Sequence, residues 1–337
     1  MQTGLKATRR QILAFRRRVG SLDERLPMSA QSLRRAAWAG LQDSMPRAAL
    51  LSLHARVAGV EPSTWEHPSL AQLWGPRYST YVVPKRDFAL FSLGRLPDGK
   101  GRDRAEAMAK RTHTYLNGRR MTDREVAGAL GVGNAIRYAA PTGTLAIRWE
   151  GARAPSVWSV PPPKISPAAA QRELARRYLH VFGPTTADSF ARWAGISARS
   201  AAETFASLEG ALLPVRSPLG EEWLLAEDEP ALRSAESPDA PARLLPSGDA
   251  YFLLDGAERQ LLVPRKDRRE RLWTSRVWPG ALLLEGEIRG TWRRAGHTVK
   301  VETWARLSRG MRDAVEVEAA TLPLPGLDRP IEVVWQT

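Results

Sequence analysis

The stretch that decides the fold runs from Met121 to Val160 and reads MTDREVAGALGVGNAIRYAAPTGTLAIRWEGARAPSVWSV. A helix is predicted to begin at Thr122 or Asp123, because short polar side chains cap the free amides of a first turn. A shorter helix is predicted around 134–139. Two apolar segments rich in β-branched residues then flank Gly151 and predict a β-hairpin. A helix, a turn, a helix and a hairpin form the order of a winged helix.

A similar order of elements is predicted on both sides of this stretch. Upstream, apolar periodicity predicts three helices and a strand, at 6–18, 29–39, 46–58 and 78–84. Downstream, it predicts three helices and a hairpin, at 168–182, 184–194, 197–208 and 213–227. The segments match in the order of their predicted elements but not in residue identity. The fold class is therefore predicted to be α+β, with three tandem winged-helix units.

The composition changes near residue 231. A segment at 234–246 has several Pro, Ser and Asp residues and is typical of a linker. After it, the predicted elements are five short strands and a closing helix, at 251–254, 260–263, 281–289, 290–294, 298–305 and 308–320. The last part is therefore predicted to be a β-rich domain. The four predicted parts of the chain are 1–95, 96–163, 164–230 and 231–337.

The charge of the chain indicates a polyanionic partner. With 50 Lys and Arg against 36 Asp and Glu, the 337 residues carry a formal charge of +14. Such a chain binds phosphates and releases their counterions, which gives affinity for nucleic acid without sequence information. The alternative is compositional, because abundant Arg, Ala and Pro with few Lys is also typical of a GC-rich coding bias. Double-stranded DNA is the predicted partner.

Several classes of protein are disfavoured by the sequence. The chain has no cysteine, which removes disulfides, thiolate zinc sites and cysteine nucleophiles and makes a reducing cytoplasm the simplest setting. Neither a signal peptide nor a membrane-spanning stretch is predicted. The five histidines show no metal-ligand spacing. We expect a cytoplasmic, nucleoid-associated protein without metal or cofactor. The absence of a coiled-coil seam favours a monomer.

Four segments together resemble a known family. They are GLQDSMPRAALLSLHAR at 40–56, GPRYSTYVVP at 75–84, FGP at 182–184, and GTWRR at 290–294 followed by LSR at 307–309. In this order they resemble the winged-helix interstrand-crosslink DNA glycosylases, the AlkZ/YcaQ-like family. The resemblance covers most of the chain.

The resemblance implies a fold and an activity. It implies three winged helices carried on a barrel-like C-terminal domain that together embrace duplex DNA. Members hydrolyse the N-glycosyl bond of bases alkylated at purine N7, including crosslinked ones, without a metal or an organic cofactor. Their catalytic motif is Gln-x-Gln or Gln-x-Asp, which positions and polarises the attacking water.

The motif falls on Gln42-Asp43-Ser44 and departs from the family pattern. Gln42 matches the first position, but Ser44 stands where members place Gln or Asp, and the only carboxylate is Asp43. Residues two apart share a face only in an extended chain, and Pro46 disfavours helical geometry at the residue before it. Gln42 and Ser44 are then expected to point together, and Asp43 away. Alternatively, Asp43 or Ser44 caps the helix that follows.

The DNA-contacting residues are predicted from the resemblance and from local charge. Arg77, Ser79 and Tyr81 occupy family positions that border the active cleft, although alternation alone is also consistent with the polar side of a half-buried strand. Arginines of the second unit are expected to reach DNA, namely Arg120, Arg137, Arg148 and Arg153. Basic residues of the C-terminal part are expected to contact phosphates, namely Arg265, Lys266, Arg268, Arg269, Arg293 and Arg294. The alternative for this last group is a solvated loop neutralised by neighbouring acids.

Three functions remain open on the sequence. The first is a DNA glycosylase that uses Gln42 with Asp43 or Ser44; since no lysine falls in this segment, we expect attack by water without Schiff-base lyase chemistry. The second is a non-catalytic DNA-binding protein, a regulator or lesion sensor whose motif has decayed. The third is a nonspecific nucleic-acid binder. Only the first predicts base release.

Overall fold

The computed structural model describes residues 5–45, 47–151, 153–235, 240–324, 326 and 329–336. Pro46, and the part of the predicted linker at 236–239, lie outside the described residues. The helices are α1 (Arg9–Val19), α2 (Ala30–Ala36), α3 (Ala48–Arg56), α4 (Phe88–Leu93), α5 (Lys100–Leu116), α6 (Asp123–Leu130), α7 (Pro167–Phe182), α8 (Ala187–Ala194), α9 (Ala198–Ala206), α10 (Glu229–Arg233), α11 (Glu258–Leu262), α12 (Lys266–Leu272) and α13 (Arg309–Ala320).

The strands form four sheets. They are β1 (Leu5–Lys6), β2 (Leu41–Gln42), β3 (Leu70–Trp74), β4 (Thr80–Pro84), β5 (Met121–Thr122), β6 (Leu145–Arg148), β7 (Ser156–Ser159), β8 (Leu212–Ser217), β9 (Gly220–Leu225), β10 (Arg243–Leu245), β11 (Gly280–Leu284), β12 (Glu287–Ala295), β13 (Thr298–Thr303) and β14 (Glu332–Gln336). Three of the sheets have three strands each, in the orders β2-β4-β3, β5-β7-β6 and β1-β8-β9.

Local sequence signals set the start of α6. Thr122 and Glu125 cap it reciprocally, since the Thr122 hydroxyl accepts from the Glu125 amide and the Glu125 carboxylate accepts from the Thr122 amide. The hairpins predicted at 144–160 and 213–227 are present as β6–β7 and β8–β9. The second predicted helix of the 121–160 stretch is a 3-10 segment, Gly133–Thr142.

One hydrophobic cluster joins the first and third small sheets to the C-terminal part of the chain, whereas the second small sheet packs in a separate cluster. Leu5 and Lys6 pair in parallel with β8, so the start of the chain completes the third small sheet rather than the first. A continuous cluster of buried side chains includes Phe15, Phe91 and Phe252, which come from distant parts of the sequence. The division into winged-helix units at 1–95, 96–163 and 164–230 stays a prediction.

The C-terminal sheet is open. Its five strands follow the order β10-β11-β12-β13-β14, antiparallel except for the parallel pair β13–β14. Among the described residues, β10 and β14 have no further strand partner, so the sheet does not close, and the barrel-like C-terminal domain expected from the resemblance is not confirmed. Closing a sheet requires its two edge strands to pair, and here five strands leave them apart.

Two predicted strands of the C-terminal part are wrong. The segment 251–254 is a turn followed by irregular chain, and 260–263 overlaps α11. Short apolar runs suit a buried helix or loop as well as a strand, and Leu253, Leu261 and Leu262 are all buried in the main core. The predicted single strand at 281–289 is the hairpin β11–β12. Among the described residues, no helix has the length and apolar character needed to cross a membrane.

Candidate active site

The predicted catalytic segment is an edge strand. Leu41 and Gln42 pair antiparallel with β4, and the Asp43 amide continues the ladder by donating to the Thr80 carbonyl at 2.7 Å. Alternate side chains of an extended chain point to opposite sides. Accordingly, the Gln42 side-chain nitrogen donates to the Ser44 hydroxyl at 2.6 Å. The structure thus brings Gln42 and Ser44 together.

Gln42 and Ser44 lie in an open cleft of about 430 Å³ between the first small sheet and the C-terminal part of the chain. The lining residues are Gln42, Ser44, Met45, Arg77, Ser79, Ser247, Gly248, Leu253, Arg276, Val277 and Trp278. On the C-terminal side of the cleft, Arg276 and Trp278 belong to a basic and aromatic segment that the sequence had suggested for DNA contacts, but the turn at Ser247 and Gly248 was missed. The local signal of this turn is a common dipeptide, and nothing in the sequence indicates which distant turn reaches the motif.

The Gln42 amide is incompletely satisfied. Its oxygen is buried and has no hydrogen-bond partner among the described residues, whereas its nitrogen bonds to Ser44. Turning the amide over would only exchange which of its two polar atoms lacks a partner. Buried polar groups are nearly always hydrogen-bonded, so an unpaired atom beside a cleft is suited to a water or a ligand.

Asp43 points away from the cleft. It is 1% exposed, its Oδ1 accepts from the Ala49 amide at 3.0 Å, and its Oδ2 accepts from the Gln72 side chain at 3.2 Å. The Gln72 amide also bonds to both main-chain polar groups of Trp149, which follows β6. Asp43 therefore caps α3 and connects it to the second small sheet. A direct catalytic role for Asp43 conflicts with this placement.

Burial sets the protonation of Asp43. Desolvation raises the pKa of its carboxyl group to about 7, against smaller lowering effects of the Ala49 amide, Arg47 and Gln72. A raised folded-state pKa means that the folded chain holds a proton that the unfolded chain has lost between about pH 4 and pH 7. The stability that this proton contributes is complete below that window and lost as the pH rises through it.

Asp43→Asn is expected to flatten the dependence of stability on pH. Between pH 5 and pH 8, the unfolding free energy of the wild type should fall by about 3 kcal/mol relative to that of the variant. The reason is that each rise of one pH unit, from pH 5 up to the raised pKa, removes about 1.4 kcal/mol. Urea unfolding at a series of pH values measures this difference. Parallel curves for the two proteins would show that Asp43 does not titrate in this window.

Of the three residues expected to border the cleft, Arg77 and Ser79 do line it. The Arg77 guanidinium lies 3.5 Å from Asp255, with about a third of its side chain exposed. The expectation that Tyr81 borders the cleft is wrong, because Tyr81 is 1% exposed and its ring packs against Gly75. As the central strand of its sheet, β4 has core on both faces, so alternation does not place its polar residues in solvent.

The second-unit arginines do not form one surface. The expectation that Arg148 reaches DNA is wrong. Its guanidinium pairs with Glu66 and stacks 4.5 Å from the Trp65 ring centre, so the hairpin packs against the first sheet. Arg120 is exposed and lies 4.4 Å from the Trp158 ring centre, and Arg153 is exposed. Arg137 is half-buried, and its Nε has no hydrogen-bond partner among the described residues.

The C-terminal basic residues lie immediately before α12, within α12 and on β12, and all of them pair with neighbouring carboxylates or bond to neighbouring carbonyls. Arg265 and Lys266 are exposed and pair with Asp267 and Glu270. The others bond to main-chain carbonyls: Arg268 to Trp304, Arg269 to Val263 and Pro264, Arg293 to Val277, and Arg294 to Gly296. Arg293 thereby supports the cleft loop that contains Val277. Within the described ranges, no cluster of three or more His, Asp or Glu side chains could hold a metal ion.

Comparisons with known proteins agree with this architecture. The model of the family described as "DNA glycosylase AlkZ-like" matches residues 34–323. The fold is similar to that of the Streptomyces sahachiroi DNA glycosylase AlkZ, with a TM-score of 0.80 and 20% sequence identity, over 98% of this chain and 100% of that chain. No curated protein matches the chain significantly in sequence. The family match spans the cleft, its motif strand and most of the C-terminal part, and by it the chain belongs to the AlkZ-like DNA glycosylase family.

Proposed function

We propose that this DNA glycosylase releases purines alkylated at N7 from duplex DNA, including crosslinked ones, by attack of a water held by Gln42 and Ser44. We further propose that it acts as a monomer, without a metal, on nucleoid DNA in the cytoplasm. The observation that carries the proposal is the Gln42 side chain, which lines an open cleft, bonds to the Ser44 hydroxyl through its nitrogen and leaves its oxygen without a partner among the described residues.

The proposed leaving group needs little assistance from the cleft. An N7-alkylated purine already carries positive charge and departs readily, so the enzyme has mainly to stabilise an oxocarbenium-like sugar and orient water. Among the described lining residues there is no carboxylate, and the water is therefore oriented by hydrogen bonds rather than deprotonated by a buried base. A Gln side chain offers both a donor and an acceptor for this purpose.

The other polar and aromatic side chains of the cleft suit DNA. Arg77 and Arg276 supply positive charge on opposite walls, where they can contact phosphates on either side of a displaced nucleotide. Trp278 offers a flat apolar surface to a sugar or a base. The lining residues include no lysine in the described part of the chain, which supports hydrolysis over Schiff-base chemistry.

A duplex with a single N7-methylguanine tests the proposal. We expect the protein to release free 7-methylguanine and to leave an intact strand that breaks only after alkali, with no borohydride-trapped covalent complex. Duplexes with a bulkier N7 adduct or an N7 crosslink extend the test. Tight binding to all of these duplexes without base release would exclude these substrates and favour a lesion sensor. Strand cleavage before alkali would exclude the water mechanism.

A further inference from the structure

The cleft is completed by a turn that lies more than 200 residues beyond the motif. Residues 246–249 form a tight turn, closed by a hydrogen bond of 3.0 Å from the Asp249 amide to the Pro246 carbonyl. Ser247 and Gly248 of this turn line the cleft opposite the motif strand. The turn is therefore part of the surface that surrounds Gln42.

Gly248 fits against the Gln42 amide. It has a φ of +78°, and a Cβ atom at this position would lie 3.3 Å from the Gln42 Cδ and 3.4 Å from its nitrogen. Distances this short require the neighbour to move by a few tenths of an ångström. Glycine is thus needed here for the backbone conformation and also for the space occupied by the amide.

The turn is fastened to α3 by a buried ion pair. The Arg56 guanidinium bonds to both oxygens of Asp249, at 2.7 and 2.8 Å, and both side chains are almost fully buried. Ser52, one helical turn earlier, donates its hydroxyl to Asp249 at 2.6 Å. The Tyr251 amide adds a fourth hydrogen bond, at 2.9 Å. Asp249, next to Gly248, is therefore held by four hydrogen bonds.

The same helix fixes the motif strand. Its first turn is capped by Asp43, the residue between Gln42 and Ser44. Helix α3 therefore holds the two sides of the contact, the motif strand at its beginning and the Gly248 turn along its length. Because both are attached to α3, this helix sets the distance between Gly248 and the Gln42 amide.

We propose that Gly248 is a positioning residue for Gln42, and that the Ser52–Arg56–Asp249 cluster on α3 holds Gly248 against the amide. This inference rests on the proposed function, in which Gln42 orients the water. A side chain at position 248 would press on the amide, so glycine at this distance lets the amide keep the orientation in which its nitrogen bonds to Ser44.

Gly248→Ala has a matched control in Gly59→Ala. Gly59 has a φ of +68° and no atom within 4 Å of a Cβ built on it, so the control carries similar backbone strain without the contact. We expect Gly248→Ala to lower the single-turnover rate of base release by about tenfold, since a misplacement of about 1 Å costs about 100-fold. Duplex affinity should be unchanged, and Gly59→Ala should keep the wild-type rate.

A second readout is independent of activity. In spectra of protein labelled with ¹⁵N-glutamine, the Gln42 side-chain signals are identified by their loss in Gln42→Ala. They should shift in Gly248→Ala and remain in place in Gly59→Ala. If the wild type releases no base but these signals shift, the proposed function fails and the positioning contact stands. Unshifted signals, or equal rate losses in both glycine variants, would overturn the inference.

Discussion

Gln42→Ala is expected to slow base release from an N7-methylguanine duplex by about 100-fold or more, the scale associated with losing the orientation of a reactant. Duplex binding should persist. Gln42 presents one amide atom to Ser44 and leaves the other without a partner in the described structure. Alanine removes both groups and leaves the strand pairing of Leu41 with Val82 untouched. Single-turnover rates with excess enzyme, with affinities measured in parallel, separate the two effects.

Gln171→Ala is the matched control for Gln42→Ala. Gln171 lies in α7 and donates to the Ser200 hydroxyl at 3.0 Å, so it forms the same kind of Gln–Ser pair away from the cleft. Its loss should leave base release at the wild-type rate. A wild-type rate in Gln42→Ala would remove Gln42 from the mechanism. Equal losses in both variants would indicate a stability effect instead of catalysis.

Asp249→Ala is expected to lower the free energy of unfolding by about 3–5 kcal/mol, the range for removing one partner of a buried ion pair. Asp249 is 1% exposed and Arg56 is 3% exposed. Burial opposes ionisation of Asp249, but Arg56 and the surrounding hydrogen bonds outweigh it and lower the pKa of the carboxyl group. Without Asp249, the Arg56 charge stays buried with only the Ser52 carbonyl to accept from it among the described residues.

Urea unfolding at pH 7 measures this loss, and an exposed pair provides the comparison. Asp267 pairs with Arg265 on the surface, with more than half of each side chain exposed. Solvent screens such pairs, so Asp267→Ala should not move the unfolding midpoint measurably. If Asp249→Ala were as stable as Asp267→Ala, the buried pair would not be what fastens the Gly248 turn to α3.

The three-dimensional arrangement places the only carboxylate of the Gln42-Asp43-Ser44 segment outside the cleft. The middle position of the motif points into the protein, where Asp43 caps α3 and reaches Gln72. The Asp43 carboxylate therefore stabilises the start of α3 and does not take the place of the acidic side chain that some family members are expected to have at the position of Ser44. The only polar side chains that the motif contributes to the cleft are Gln42 and Ser44.

Local signals in the sequence determined much of the secondary structure. The Thr122 cap, the hairpin around Gly151, and the extended geometry of 42–44 each depend on a few neighbouring residues, and each was predicted correctly. The family resemblance also came from the sequence, because its motifs are continuous segments. Their order along the chain was sufficient to identify the AlkZ-like family.

Only the tertiary structure decided which distant residues meet. Tyr81 is buried because β4 is central in its sheet. Arg148 stacks on Trp65, because its hairpin packs there, and so does not point towards DNA. Gly248 reaches Gln42 through a buried ion pair on α3, which has no local signature. Caps and turns are fixed by neighbouring residues in the chain, whereas burial and long-range pairing depend on how whole elements pack. The sequence therefore determined the family and the motif, and packing decided which side chains form the cleft.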